Sequence, residues 1–303
     1  MTVDKVLVAG AGAMGSQIAM VAALAGCEVT LYDLDEGMLR RAISQLTDRM
    51  TAQVAKGRRP AEEVADALGR LVTARALDDQ VVDVDLVIEA IVEKLSVKRA
   101  LFGQLDEICP ARTILASNSS SFVPSAMATA TGRADRFLNL HFFNPALVMS
   151  CVEVVRGPHT ADPSVESALE FVERLGKTAV LLDREIPGFV ANRLLGAVRD
   201  EAIRLLEGGY ADVAAIDTAA RTALGYPMGP FELMDLTGID IRYLTKTARF
   251  EESGDPSDAP SATVTALVER GDLGRKSGRG FYVYDDTGAR IGAADLTDPK
   301  GTH

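Results

Sequence analysis

The stretch Gly10-Ala11-Gly12-Ala13-Met14-Gly15 constrains this chain more than any other, because of what stands on either side of it. The apolar segment Lys5-Val6-Leu7-Val8-Ala9 before it reads as a buried strand, and residues 14–25 after it form an alanine-rich helical pattern. As bare letters Gly-x-Gly-x-x-Gly is weak. Between strand and helix it has mechanical meaning: a tight turn, close backbone approach to a pyrophosphate, and close packing of helix on strand. Gly26 ends the helix, residues 28–32 read as a second strand, and Asp33 stands at its end, about 20 residues past the glycines. Its carboxylate can take both ribose hydroxyls of a dinucleotide and would repel a 2′-phosphate. Gly10, Gly12, Ala13, Met14, Gly15 and Asp33 are therefore expected to cradle NAD rather than NADP. The alternative is a structural turn with no ligand, and Arg40 and Arg41 downstream read as solvated helix positions.

Further along, Met38, Ile43, Leu46, Met50 and Val54 recur at near-helical spacing until Lys56-Gly57-Arg58-Arg59-Pro60 breaks the pattern, and residues 61–71 read as a returning helix. Lys56, Arg58 and Arg59 could meet the phosphates of a long anionic ligand or simply be solvated. Residues 81–88 read as a strand, 94–108 as a helix and 113–116 as another strand, which delivers Ser117 to Ser121 to the same sheet edge. Ligands sit at the carboxyl ends of parallel strands, which singles out Glu93 and Lys98, with helix capping and a surface ion pair as equal contenders. Residues 163–175 follow as a helix and 179–182 as a last strand. Beyond Pro187 the alternation stops. Residues 189–206 carry Leu194, Val198, Ala202 and Leu205 on one helical face, 213–224 form another helix, and Pro230 opens a third. The expected architecture is α/β: a Rossmann-type, doubly wound, mostly parallel sheet over residues 1–185, and a C-terminal all-helical domain over 186–303 that binds substrate and forms a homodimer.

Composition narrows the function. A chain of 303 residues, 47% hydrophobic and 25% charged, can bury two cores, and its net charge of −11 argues against nucleic acid or a membrane surface as a partner. The longest apolar runs, such as 18–25, are too short to span a bilayer, and no signal-peptide pattern precedes the first strand. The three cysteines, Cys27, Cys109 and Cys151, lack the spacing of a disulfide framework or a zinc site. No metal is expected, and a cytoplasmic protein is. Cys151 shares a strand face with Glu153, as a small hydrophobe or a thiol nucleophile.

Only three histidines occur. His303 is terminal and His159 lies in the loop-like Gly157-Pro158-His159-Thr160. His141 stands within the apolar Phe137-Leu138-Asn139-Leu140-His141-Phe142-Phe143, a strand stopped by Asn144-Pro145. Glu153 is equally out of place in Val152-Glu153-Val154-Val155, where a buried carboxylate is costly without a partner. Paired, the two would make an acid-base device; apart, each would be satisfied by backbone or water. A serine nucleophile would need a Gly-x-Ser-x-Gly that is absent.

These motifs, in order, resemble the L-3-hydroxyacyl-CoA dehydrogenase family, most closely its short bacterial members described as 3-hydroxybutyryl-CoA dehydrogenases. The resemblance covers nearly the whole chain. It runs through the glycine loop, Glu89-Ala90-Ile91-Val92-Glu93, Ala116-Ser117-Asn118-Ser119-Ser120-Ser121, His141-Phe142-Phe143-Asn144-Pro145, Pro187-Gly188-Phe189-Val190-Ala191-Asn192-Arg193, Gly225-Tyr226-Pro227-Met228-Gly229-Pro230-Phe231-Glu232 and Gly274-Arg275-Lys276-Ser277-Gly278-Arg279-Gly280-Phe281-Tyr282. It implies hydride transfer between NAD and C3 of an acyl-CoA substrate. His141 would be the catalytic base and Glu153 its orienting partner, while Ser120 and Asn192 would bind the C3 oxygen. Asp33, Glu93, Lys98, Ser120, Asn144 and Lys276 would contact NAD. Ser119, Ala146-Leu147, Ser150 and Ala191 depart from the family's usual residues, and those at 146, 147 and 150 bear on acyl-chain preference. Relatives acting on free hydroxy acids or sugar acids, a nonenzymatic nucleotide-binding protein, and a lysine-based dehydrogenase using Lys177 are the rival readings.

Overall fold

Side chains alternate along each strand of the first half of the chain, and that alternation makes two cores on one sheet. Val6 and Val8 enter one apolar cluster while Leu7 and Ala9 enter another. The computed structural model describes residues 2–78 and 83–296. The chain divides into two compact units, Met1–Val190 and Ala191–His303.

In the first unit the order is β1 (Lys5–Ala9), α1 (Ala13–Leu24), β2 (Glu28–Tyr32), α2 (Glu36–Ala55), α3 (Ala61–Gly69), β3 (Leu71–Ala74), β4 (Leu86–Glu89), α4 (Leu95–Ile108), β5 (Ile114–Ser117), α5 (Pro124–Ala128), β6 (Phe137–Phe142), β7 (Cys151–Arg156), α6 (Asp162–Arg174) and β8 (Thr178–Leu182). Among the described residues the sheet has eight strands in the order β3-β2-β1-β4-β5-β6-β7-β8. Every neighbouring pair is parallel except β6 and β7. Ile18, Leu46, Met50 and Phe171 from α1, α2 and α6 fill one face, and Phe102, Leu105 and Met127 from α4 and α5 fill the other. This is the expected doubly wound sheet, with helices on both faces.

Three details differ from the pattern reading. Leu71 opens a four-residue edge strand instead of ending a helix, because its neighbours pair in parallel with β2 from Val29 to Tyr32. Of the strand expected over 81–88, Val81 and Val82 lie outside the described residues, as does His303. The described ladder begins only at Leu86, after Asp85 has accepted the Asp4 and Lys5 N–H groups at 3.0 Å each. The helix expected from 189 starts two residues later, since Phe189 has a φ of 48° and no helix can pass through that conformation.

The second unit contains α7 (Ala191–Glu207), α8 (Val213–Ala223), α9 (Pro230–Thr237), α10 (Ile239–Ser253) and α11 (Ala262–Arg270) around a core of Ile203, Phe231, Met234, Leu267 and Phe281. It also carries a short antiparallel hairpin, β9 (Tyr282–Tyr284) with β10 (Arg290–Ala293). Asp217 accepts the Phe231 and Glu232 N–H groups and the Tyr282 hydroxyl. Asp235 accepts the Phe281 and Tyr282 N–H groups and the Tyr284 hydroxyl. Two buried carboxylates thus fasten the hairpin to the helices.

Candidate active site

At the end of β1 the chain turns through Gly10, whose φ is 106°. A Cβ there would lie 2.5 Å from the Ala90 carbonyl oxygen, and one on Gly15 would lie 1.9 Å from that of Gly10, whereas one on Gly12 would meet nothing within 4 Å. Two glycines therefore let backbone close upon backbone, and the third leaves room in front of α1. Gly12 caps that helix with no side-chain acceptor, so the first N–H groups, beginning with those of Ala13 and Met14, are available to an anion. Asp33 accepts the Ala11 N–H at 2.8 Å and the Asp35 N–H at 2.9 Å, which fixes its carboxylate at the rim. Behind it lies a groove of about 680 Å³ lined by Gly10, Gly12, Asp33, Leu34, Ile91 and Leu101 among others. Leu34 offers no cation to a 2′-phosphate, and Arg40 and Arg41 are engaged by Glu36 and Asp35. The donor set fits NAD.

His141 and Glu153 face each other directly across the antiparallel β6–β7 pair. His141 Nδ1 lies 2.7 Å from Glu153 Oε2, and both side chains are buried. A carboxylate can only accept, so Nδ1 donates, and in the neutral ring the lone pair is left on Nε2. The other Glu153 oxygen accepts the Val190 N–H at 2.9 Å. Phe143 and Phe189 lay their rings against the imidazole, with centroids 4.5 and 5.4 Å away. Phe189 is fully buried in its left-handed conformation, a strained backbone held beside the pair by packing. Cys151 is no rival nucleophile: burial, and then the charge of Glu153, push its thiol up, away from the thiolate.

The turn after β5 is defined by its own side chains. Glu93 accepts the Ser119 hydroxyl and lies 3.0 Å from Lys98 Nζ. Burial raises Glu93, but Ser119 and Lys98 outweigh it and hold the carboxyl below its ordinary value. Lys98 is 1% exposed, its ammonium enclosed by Glu93 and by Glu89, which lies 2.5 Å away. Ser120 is half-buried on the same turn, and Asn144 is exposed where β6 gives way to the next turn. Lys177 donates to the Ala146 and Met149 carbonyl oxygens at 2.8 and 2.6 Å. It clamps that turn instead of serving as a base.

The structure thus gathers His141 with Glu153, and Glu93 with Lys98 and the serine turn, in the first unit. Asn192 in the first turn of α7 and Lys276 belong to the second, where Lys276 Nζ lies 2.6 Å from Asp240. His159 is exposed in its loop. Among the described residues no group of His, Cys, Asp or Glu side chains is placed to hold a metal ion. Sequence reasoning passed over Glu89, although a carboxylate closing Leu86-Val87-Ile88 carries the same signal as Glu153. It also passed over Phe189, whose letters carry no such signal.

Residues 5–186 match the family model described as 3-hydroxyacyl-CoA dehydrogenase, NAD binding domain, and residues 188–284 match that family's C-terminal domain. The chain belongs to the 3-hydroxyacyl-CoA dehydrogenase family. Within it, the chain is 38% identical over 286 residues to a probable 3-hydroxybutyryl-CoA dehydrogenase of Bacillus subtilis, covering 94% of this chain and 99% of that one. It is 40% identical over 288 residues to human mitochondrial hydroxyacyl-coenzyme A dehydrogenase, covering 93% and 91%. The crystal structure of (S)-3-hydroxybutyryl-CoA dehydrogenase from Ralstonia eutropha, 33% identical, superposes with a TM-score of 0.87 over 94% of this chain and 100% of that one. The mitochondrial relative corrects the expected cytoplasmic location. The spacing of three free cysteines carries no signal that distinguishes one compartment from another.

Proposed function

We propose that this member of the family oxidises an L-3-hydroxyacyl-CoA at C3 with NAD, or reduces the corresponding 3-oxoacyl-CoA with NADH, on a short acyl chain such as 3-hydroxybutyryl. The observation that carries this reading is the buried His141–Glu153 pair set in register on the same sheet whose glycine turn and Asp33 line a groove that fits a dinucleotide. NAD, once bound, supplies the hydride acceptor. The remaining work falls to side chains. His141 Nε2 takes the C3 hydroxyl proton, and Glu153 keeps the ring oriented and stabilises the imidazolium that results. Ser120 and Asn192 donate to the C3 oxygen as negative charge builds on it. Phe143 and Phe189 shield the imidazole from water, which strengthens its attraction to Glu153. Asp33, Glu93, Asn144 and Lys276 complete the cofactor contacts, and Lys98, enclosed by Glu89 and Glu93, supports them from behind instead of touching the cofactor as the resemblance implied.

The first unit is then the NAD-binding domain and the second the substrate-binding and dimerisation domain. We read the protein as a homodimer through the second unit, which leaves Leu194, Leu236, Ile241 and Leu244 exposed on its helices. Light scattering at twice the chain mass is the expected result.

Initial rates with acetoacetyl-CoA, longer 3-oxoacyl-CoA thioesters and free acetoacetate, each with NADH and NADPH, test the activity. Turnover of the short thioester with NADH is expected. A preference for the free acid or for NADPH would replace this reading with another.

A further inference from the structure

Glu89, fully buried at the end of β4, has no place in the chemistry above, yet its carboxylate holds three separate segments of the chain. Its Oε1 accepts the Ile91 N–H at 2.8 Å and the Lys98 ammonium at 2.5 Å, and its Oε2 accepts the Ser117 hydroxyl at 2.6 Å. Ile91 lines the dinucleotide groove. Ser117 in turn accepts the Ser119 N–H at 3.1 Å, and the Ser119 hydroxyl accepts the N–H groups of Ser121 and Phe122 at 3.2 and 2.9 Å. Asn139 closes the turn from below through the Ser119 and Phe122 carbonyl oxygens. Ser120 therefore sits between two serines held by side-chain contacts that lead to Glu89 through the Ser117 hydroxyl and to Glu93 through the Ser119 hydroxyl, with Lys98 joining the two carboxylates.

We propose that Ser117 and Glu89 are positioning residues for the reaction, tying the groove floor at Ile91 and the turn that carries Ser120 to a shared buried anchor. Stability alone gives a weak reason for such a network, because buried ion pairs seldom outperform an apolar replacement of the same volume. Geometry gives a stronger one. The C3 oxygen has to meet Ser120 while the dinucleotide is held by the groove, and a misplacement of about 1 Å between reacting groups costs roughly 10²-fold in rate. An anchor common to both segments keeps them in mutual register.

The proposal rests on the role of Ser120 given above, and a double-mutant cycle in the full-length protein separates the two. Ser120→Ala is expected to lower kcat on the order of 10²-fold by removing a donor to the C3 oxygen. Ser117→Ala should lower kcat about tenfold while the NADH dissociation constant, read by fluorescence titration, stays in place. The combined variant should match Ser120→Ala alone, because Ser117 acts only through that hydroxyl. Glu89→Gln should weaken NADH binding as well as kcat, since it also releases Ile91; if it does not fold, the serine cycle still decides. Effects of Ser117→Ala and Ser120→Ala that multiply, or a Ser117→Ala enzyme with unchanged kcat, overturn the proposal and leave the role of Ser120 standing. Full activity in Ser120→Ala removes both.

Discussion

His141 and Glu153 share one buried hydrogen bond, so in the proposed acid-base role their substitutions should overlap instead of multiplying. His141→Gln is expected to lower kcat about 10² to 10⁴-fold and leave NADH affinity intact, and adding Glu153→Gln should cost little more. Initial rates beside NADH titrations check this, and retained turnover in the first variant would remove the assignment. Asp33→Ala should do the reverse, weakening NAD binding by removing the ribose acceptor and freeing the Ala11 N–H. An unchanged dissociation constant takes Asp33 out of the groove. At this scale the sequence was legible wherever a residue contradicted its surroundings, as Glu153 does within valines. Lys98 was not legible in full, because a lysine on a helix reads as solvated. Only the fold reveals that two carboxylates enclose it.

Among the elements, β9 depends on the ionisation of one residue. Burial pushes Asp235 up to about 6, partly offset by the Phe281 and Tyr282 N–H groups and the Tyr284 hydroxyl, with the charge of Asp217 adding to the rise. A carboxyl whose pKa is higher in the folded state binds more protons there. Its contribution is complete below the unfolded value near 4 and is lost as pH climbs through 6, a change of roughly 3 kcal/mol. Urea midpoints should therefore fall between pH 4 and 6 from this group, and Asp235→Asn should flatten that slope. A slope that survives the substitution places the titration elsewhere. The helices and long strands could be read from periodicity. The β3 edge and the β9–β10 hairpin could not, since three or four residues give too little alternation to separate strand from loop. Phe281-Tyr282-Val283-Tyr284 carried the aromatic and β-branched bias, and the adjoining Gly-Arg-Lys-Ser turns obscured it.

At the scale of the whole molecule, the proposed CoA thioester extends far beyond its reacting carbon. Lys56 and Arg58 are exposed after α2, and Arg59 is paired with Glu63. Replacing all three with neutral residues should raise KM for a CoA thioester, on the order of fivefold and less at high salt, with kcat retained. No change in KM assigns the cluster to solvent. The antiparallel pairing of β6 with β7 has a consequence for how such proteins diversify. Proton acceptor and carboxylate meet because a hydrogen-bonded ladder puts them opposite one another, so of the residues joining the two strands only Phe143, against the imidazole, shares in that duty. Of the departures from the family pattern here, Ser150 is exposed and can change without disturbing the pair, whereas Ala146 is buried in the core and Leu147 packs against it. A one-residue slip of β7 has no such latitude, for it would turn the carboxylate to the opposite face of the sheet and leave the imidazole alone.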